Sequence, residues 1–194
     1  LGNVGIYDAI IQFSKKYPKI KIEVSGGYVK DSIEELSKGE VDLVAVNLPF
    51  EYDETNIQII ECGEIEDCFY STNEYYKNIK NKNKIKELLK TELIAPAEKS
   101  TTGKILRQFC EKNNIEYVPK FVMTSTNARK YFTMQGLGIG FGIKENIKKE
   151  LESGELVEIK VSSRPLKRSF GIAVQKKELL NNATLKLIDN IKNR

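Results

Sequence analysis

Hydroxyl side chains gather at two places in the sequence, and each place follows an apolar segment. The two groups are Ser100, Thr101 and Thr102, after residues 93–96, and Thr124, Ser125 and Thr126, after residues 117–122. Apolar residues at helical spacing follow both groups, so each group is expected at a helix N-terminus. There the first N–H groups have no intrahelical partner and the helix dipole is positive. Hydroxyls and free amides together predict a seat for a small anion or a carboxylate.

The same hydroxyl groups have an ordinary structural role as helix caps. Serine and threonine are favoured at the N-cap, where the side-chain oxygen accepts a hydrogen bond from the first turn. For residues 100–102 taken alone, capping is the more common outcome. Two such helix starts at one place favour a ligand, because together they bracket an anion as a single cap does not. Both interpretations stay open at this stage.

Several kinds of chemistry are disfavoured by the residue types. The 194-residue chain has no histidine, and its three cysteines, Cys62, Cys68 and Cys110, form no C-x-x-C pair. We therefore expect free thiols, no metal and no cofactor. No nucleophile elbow or evident acid/base pair is present, so an enzyme is the least favoured class. The glycines of residues 136–142 follow a helix and lack the Lys-Ser/Thr of a phosphate loop, so we reject that interpretation.

Composition and charge are those of a globular protein without an obvious nucleic-acid surface. Hydrophobic residues make up 40% and charged residues 30%, and the net charge of +4 comes from 31 basic and 27 acidic residues spread along the chain. The lysines in residues 73–90 indicate either a basic groove or, more commonly, a solvated helical face. No aromatic residues are interleaved after Tyr76, which favours the solvated face. No signal peptide or membrane-spanning run is visible, so a cytoplasmic location without membrane contact is expected.

Apolar periodicity divides the chain into alternating helices and strands. The predicted helices cover residues 6–16, the segment ending at 38–39, the segments after both hydroxyl groups, and residues 143–151 and 183–191. The predicted strands cover residues 19–24, 42–46, 57–60, 67–71, 93–96, 117–122, 156–159 and 169–174. The apolar run at 42–46 is typical of a parallel strand buried on both faces. The alternation predicts an α/β architecture with parallel sheets covered by helices.

An ordered set of motifs resembles the LysR-type transcriptional regulators. F-S-K-K-Y-P-K-I-K-I at 13–22 and L-S-K-G-E-V-D-L-V at 36–44 resemble the family patterns F-x-x-x-Y-P-x-V-x-L and L-x-x-G-x-x-D-L-A-I. Q-G-L-G-I-G at 135–140 and L-E-S-G-E-L-V at 151–157 resemble its G-x-G-I-A and L-x-x-G-x-L-V segments. Residues 98–102 resemble the S-G-T stretch of one branch, with Thr101 in place of the usual glycine. The resemblance covers nearly the whole chain.

The resemblance implies an α/β effector-binding domain with the type 2 periplasmic-binding-protein fold, in which two lobes are joined by two crossover strands. Lobe I would comprise residues 1–67 plus 174–194, and lobe II residues 68–173, with crossovers near 68–70 and 170–172. An effector would bind in the cleft between the lobes. The chain begins with Leu and enters a helix almost at once, so a winged helix-turn-helix domain is expected outside it. DNA would be contacted only through that domain.

The resemblance also implies the ligand-binding positions and the function. The expected positions are the start of the first helix and both hydroxyl groups, with one aromatic wall: Gly2, Asn3, Ser100, Thr101, Thr102, Thr124, Ser125, Thr126 and Phe141. The implied function is the sensing of a small, anionic metabolite by a homodimer or homotetramer that regulates transcription. An alternative with the same fold is a solute-binding protein that delivers its ligand to a membrane transporter.

Overall fold

The structure, a computed structural model, describes residues 5–79, 85–161, 167–176 and 180–192. The chain divides into two compact units, one formed by Leu1–Glu64 and Arg168–Arg194 and the other by Ile65–Lys167. Within the described ranges, no helix has the length and apolar character needed to cross a membrane.

In its described residues, the first unit contains three helices and a small antiparallel sheet. The helices are α1 (Tyr7–Lys16), α2 (Val29–Lys38) and α8 (Asn182–Lys192), and the strands are β1 (Val44–Asn47), the first half of β2 (Ile57–Ser71) and most of β7 (Lys167–Gln175). β1 runs antiparallel to β7, with Val44 opposite Ala173. Leu36 of α2 packs on this sheet in the core. α1 packs against α8, where the Asn190 side chain donates a hydrogen bond to the Ala9 carbonyl at 2.8 Å.

The second unit is built on a mixed sheet in the order β6-β2-β5-β3-β4. Its strands are residues 65–71 of β2, β3 (Leu93–Pro96), β4 (Phe121–Met123), β5 (Ile139–Ile143) and β6 (Val157–Ile159). β3 is parallel to β4 and β5, whereas β2 is antiparallel to β5 and β6. Its helices are α3 (Asn73–Asn78), α4 (Ile85–Leu89), α5 (Thr101–Lys112), α6 (Thr126–Met134) and α7 (Lys148–Ser153), with a 3-10 turn at Lys144–Ile147.

Helix α5 supplies one side of the core of the second unit. Its apolar residues recur at helical spacing, so that Leu106, Phe109 and Cys110 are all buried against the sheet. The Phe69 ring lies between Phe109 and Phe141, with ring centroids 6.0 Å and 4.7 Å away. Burying each large apolar side chain contributes about 1.5–3 kcal/mol. This packing fixes the position of α5 on β3 and β5, and with it the position of the helix N-terminus.

The strand predicted at residues 19–24 does not form. Ile20 and Ile22 are half-buried and Val24 is exposed, so the alternating apolar residues do not form a buried face. Alternation indicates one buried face, but a strand also needs a neighbour to complete its hydrogen-bond ladder. In the described parts of the chain, no strand pairs with this segment.

Some of the predicted strand directions and strand lengths are also wrong. The apolar run expected to be a buried parallel strand begins at Val44 and pairs antiparallel with β7, because an apolar run reports burial and not direction. Residues 57–60 and 67–71 belong to one continuous strand, β2. The strand predicted at 117–122 is reduced to Phe121–Met123, since Pro119 has no N–H for a ladder. Parallel pairing is confined to β3 with β4 and β5 among the described strands.

Candidate functional site

The carboxyl ends of β3 and β4 lie side by side in the second unit. Pro96 is opposite Met123 in the parallel ladder, and the Ala97 N–H donates to the Met123 carbonyl at 3.0 Å. α5 begins shortly after β3, and α6 begins shortly after β4. Two neighbouring parallel strands therefore deliver two helix N-termini to one edge of the sheet. The structure thus brings residues 100–102 and 124–126 to the same edge.

Ser100 is the N-cap of α5. Its Oγ accepts a hydrogen bond from the Gly103 N–H at 3.0 Å and donates one to the Ala97 carbonyl at 2.6 Å. A Cβ added at Gly103 would lie 2.1 Å from the Ala97 oxygen, so the loop after β3 packs too closely on the helix for any other residue. The capping interpretation is confirmed for Ser100, whose hydroxyl is occupied in both directions.

Ser125 is the N-cap of α6, and its Oγ accepts from the Ala128 N–H at 3.2 Å. The threonines beside the two caps differ in exposure. Thr124 is exposed, Thr101 and Thr126 are half-buried, and Thr102 is buried, with 9% of its surface accessible. The two serines therefore hold the helix starts, and the threonines flank them.

Arg129 is a residue of this region that the sequence analysis did not identify. It is the fourth residue of α6, and only 3% of its surface is exposed. Its Nη1 donates to the Met123 carbonyl at 3.3 Å and its Nη2 to Thr126 Oγ1 at 3.4 Å, while Nε has no hydrogen-bond partner within the described part of the chain. A cation in the first turn opposes the helix dipole. That local conflict, visible in the sequence, was the signal that could have identified it.

Tyr70 lies beside Arg129 under α6. It comes from β2 and is 1% exposed, and among the described residues its hydroxyl makes no hydrogen bond of normal geometry. Glycines of β5 make the room: a Cβ at Gly140 would be 2.4 Å from the Tyr70 ring, and one at Gly142 would be 3.4 Å from Arg129 Nη2. Burial raises the pKa of Tyr70 to about 12, against the opposing influence of the Arg129 charge. At neutral pH the hydroxyl is therefore protonated and can donate.

Phe141 and the start of the chain complete the predicted site residues. Phe141 lies between Gly140 and Gly142 in β5, but alternation turns its side chain to the other face of the sheet, where it is 1% exposed and packs on Phe69. It belongs to the core beneath α5. Gly2 and Asn3 lie outside the described residues.

A surface network ties the loop before α5 to the helix itself. Arg107 Nη1 contacts Glu98 at 2.9 Å and its Nε contacts Glu111 at 3.3 Å, while the guanidinium carbon lies 5.9 Å from the centre of the Tyr117 ring. The charged partners are at least half exposed, so these pairs contribute little to stability. Burial, and secondarily the Glu98 charge, raises the pKa of Tyr117 to about 12.

The described residues contain no group of three or more cysteine and carboxylate side chains suited to hold a metal ion. The three cysteines are free thiols. Burial raises the pKa of Cys110 to about 11 and that of Cys68 further still. Both thiols are therefore protonated at neutral pH and are poor nucleophiles.

Comparisons with known proteins give a consistent result. The family model described as the LysR substrate binding domain matches residues 2–194. A search of curated proteins finds no match. Among solved structures, the CcmR regulatory domain of Synechocystis PCC6803 in complex with 2-PG has a TM-score of 0.84 and 18% identity, covering 99% of this chain and 91% of that chain.

Two further structures have the same fold. A sulfate-bound mutant of the OxyR2 regulatory domain from Vibrio vulnificus has a TM-score of 0.79 and 16% identity, covering 98% of this chain and 91% of that one. The effector binding domain of QuiR in complex with shikimate has a TM-score of 0.76 and 14% identity, covering 99% and 90%. At these identities the likeness shows the fold.

Proposed function

Because the chain belongs to the LysR substrate-binding domain family, whose fold is periplasmic-binding-protein-like, we propose that it senses a small anionic metabolite for a transcriptional regulator. The regulator acts on DNA through a winged helix-turn-helix domain outside this chain and works as a homodimer or homotetramer. The observation that carries the proposal is the pair of helix N-termini, α5 and α6, at the shared edge of β3 and β4.

The chemistry of this edge supports an anionic ligand. Both helices direct the positive ends of their dipoles and their first-turn N–H groups toward the same edge. Thr101, Thr102, Thr124 and Thr126 add hydroxyl donors beside the two serine caps, and these threonines are the residues that we assign to the ligand. Structures of the same fold hold 2-PG, sulfate and shikimate, which supports the same class of ligand here.

A thermal-shift screen of the 194-residue chain tests the proposal. The probes are sulfate, phosphate, acetate, 2-PG, shikimate, amino acids and aromatic carboxylates. A ligand present at a hundred times its dissociation constant stabilises the folded state by about 2.7 kcal/mol, which for a chain of this length raises Tm by about 5–10 °C. A shift with one anionic probe supports the proposal. The absence of a shift with every probe contradicts it.

The Thr102→Val variant identifies the site. Valine keeps the volume and removes the hydroxyl, so we expect a binding probe to lose about ten- to a hundredfold in affinity, the effect of losing a hydrogen bond to a charged group, about 1.5–3 kcal/mol. Titration calorimetry measures the change.

Ser100→Ala is the matched control for Thr102→Val. The Ser100 hydroxyl is already engaged by Gly103 and Ala97, so its loss should cost about 1 kcal/mol of stability with a smaller effect on affinity. Equal affinity of the wild type and Thr102→Val would remove Thr102 from the site.

A further inference from the structure

Hydrogen-bond donors outnumber acceptors around Arg129. A guanidinium has five N–H donors, yet the two bonds that Arg129 makes to described residues are long, at 3.3 and 3.4 Å, and its Nε has no partner among those residues. Among the described residues, the adjacent Tyr70 hydroxyl makes no hydrogen bond of normal geometry, although the Arg129 guanidinium lies close enough to lower its pKa. Both side chains are at least 97% buried. Across the described ranges, Arg129 forms no ion pair with a carboxylate.

This arrangement is electrostatically incomplete. A buried cation without a counter-charge is unfavourable, and the two long hydrogen bonds of Arg129 replace only part of the hydration that burial removes. The position of Arg129 in the first turn of α6 adds a second unfavourable contribution from the helix dipole. A bound anion would reverse the sign of both effects, since it pairs with the guanidinium and is stabilised by the same dipole.

We propose that Arg129 and Tyr70 bind one oxyanion group, a carboxylate or a phosphate, at the N-terminus of α6. This inference rests on the proposed function and names the group that the α6 half of the site recognises. Arg129 supplies the charge, the Tyr70 hydroxyl supplies a neutral donor, and Thr126 supplies a third contact. Arginine suits this task because its planar fork binds both oxygens of a carboxylate or phosphate at once.

The surroundings hold the guanidinium in place for the anion. The Met123 carbonyl anchors Nη1, and β5 passes under the Nε and Nη2 side at Gly142, whose added Cβ would lie 3.9 Å and 3.4 Å from those atoms. Protein acceptors therefore engage only part of the fork. Thr126 is half-buried, and its 3.4 Å contact with Nη2 is long enough for an anion to compete with it. The oxyanion reaches Arg129 along this side.

The Tyr70→Phe variant tests the inference by giving opposite effects with and without anion. Without anion, removal of an unpartnered buried hydroxyl should leave Tm unchanged or raise it. With anion, the lost donor should reduce affinity roughly tenfold. Calorimetric titration with inorganic phosphate, sulfate and 2-PG, together with a melting curve in anion-free buffer, measures both.

Variants of Arg129 separate charge from geometry. Arg129→Lys keeps the charge but loses the fork, so we expect roughly a tenfold loss of affinity, and Arg129→Met should lose about a hundredfold or more. The melting curve of each variant establishes whether it folds. If Arg129→Met does not fold, Tyr70→Phe and Arg129→Lys still test the inference.

The possible results distinguish this inference from the proposed function. If Thr102→Val weakens binding while Tyr70→Phe and Arg129→Lys bind every probe as the wild type does, this inference is wrong and the proposed function stands. If no probe binds the wild type, both are wrong. If 2-PG binds at least tenfold more tightly than inorganic phosphate, and Tyr70→Phe weakens 2-PG binding, the oxyanion belongs to an organic effector. Equal affinities for 2-PG and inorganic phosphate identify a free inorganic anion.

Discussion

Ser100 and Thr102 are two positions apart but differ in burial and in their place at the start of α5. The Ser100 hydroxyl both accepts and donates within the protein, which leaves it little capacity for a ligand. Thr102 belongs to the first turn of α5. The backbone N–H groups of a first turn have no carbonyl partner within the helix. A cluster of hydroxyls at a helix start is therefore not a uniform surface. Each side chain has to be assigned to the helix or to the ligand separately.

The three thiols should differ in reactivity according to their burial. Cys68 and Cys110 are buried with raised pKa values, whereas Cys62 is only half-buried. Burial also raises the pKa of Cys62, so its advantage is accessibility, and we expect a thiol reagent at pH 8 to modify Cys62 faster than the other two in the folded protein. Mass spectrometry of the labelled protein, with and without denaturant, measures this. Rapid labelling of Cys110 in the native state would contradict its placement in the core.

At the scale of elements, α6 is tied to α7 by one ion pair. Lys130 of α6 lies 2.5 Å from Glu150 of α7, and both side chains are at least 80% buried. Burial alone would raise the pKa of Glu150, but the Lys130 hydrogen bond, a backbone hydrogen bond and the Lys130 charge outweigh it and hold the pKa below the usual value of a glutamate. Since the folded protein holds this carboxylate charged more firmly than the unfolded chain does, the pair stabilises at neutral pH. That contribution is lost as the pH falls from the usual pKa of a glutamate through the lower folded pKa.

Glu150→Gln should therefore have a pH-dependent effect. At pH 7 we expect it to reduce the free energy of unfolding by on the order of 1 kcal/mol, and at pH 3 the difference from the wild type should shrink. Urea unfolding at pH 7, 5 and 3 provides the measurement.

Glu152→Gln is the matched control for Glu150→Gln, because Glu152 is 65% exposed and lies 3.8 Å from Lys148. It should change stability by less than about 0.5 kcal/mol at any of these pH values. A constant difference between Glu150→Gln and the wild type at all three would show that the ion pair does not act through its charge.

At the scale of the whole molecule, burial patterns were more predictable than pairing. The apolar spacing of α5, with Leu106 and Phe109 inward, is a local property and is confirmed, as is the family fold implied by the ordered motifs. Strand direction depends on which distant segment lies alongside, so β1 was predicted parallel and is antiparallel to β7. The predicted ligand contacts stay predictions.

Arg129 shows why the charged part of the candidate site escaped sequence reasoning. Its burial depends on Gly140 and Gly142 in β5 and on Tyr70 in β2, three residues from two other elements. Hydroxyl residues indicate a helix start through their local spacing in the sequence. Two glycines in a strand indicate free space beside it, but not which distant side chain fills that space. The sequence shows the conflict between the cation and the helix dipole, but only the packing shows that this cation is buried.

The Met123 carbonyl has a consequence for how mutations combine. This single oxygen accepts from the Ala97 N–H, in the loop that leads to α5, and from Arg129 of α6. Displacing either donor therefore alters the anchor of the other. We expect the double variant Thr102→Val/Thr126→Val to depart from the sum of its single variants in anion affinity by about 0.5–3 kcal/mol, and a thermodynamic cycle measures it. Strict additivity would mean that the two helix starts act as independent sites, so that evolution could change one without retuning its neighbour.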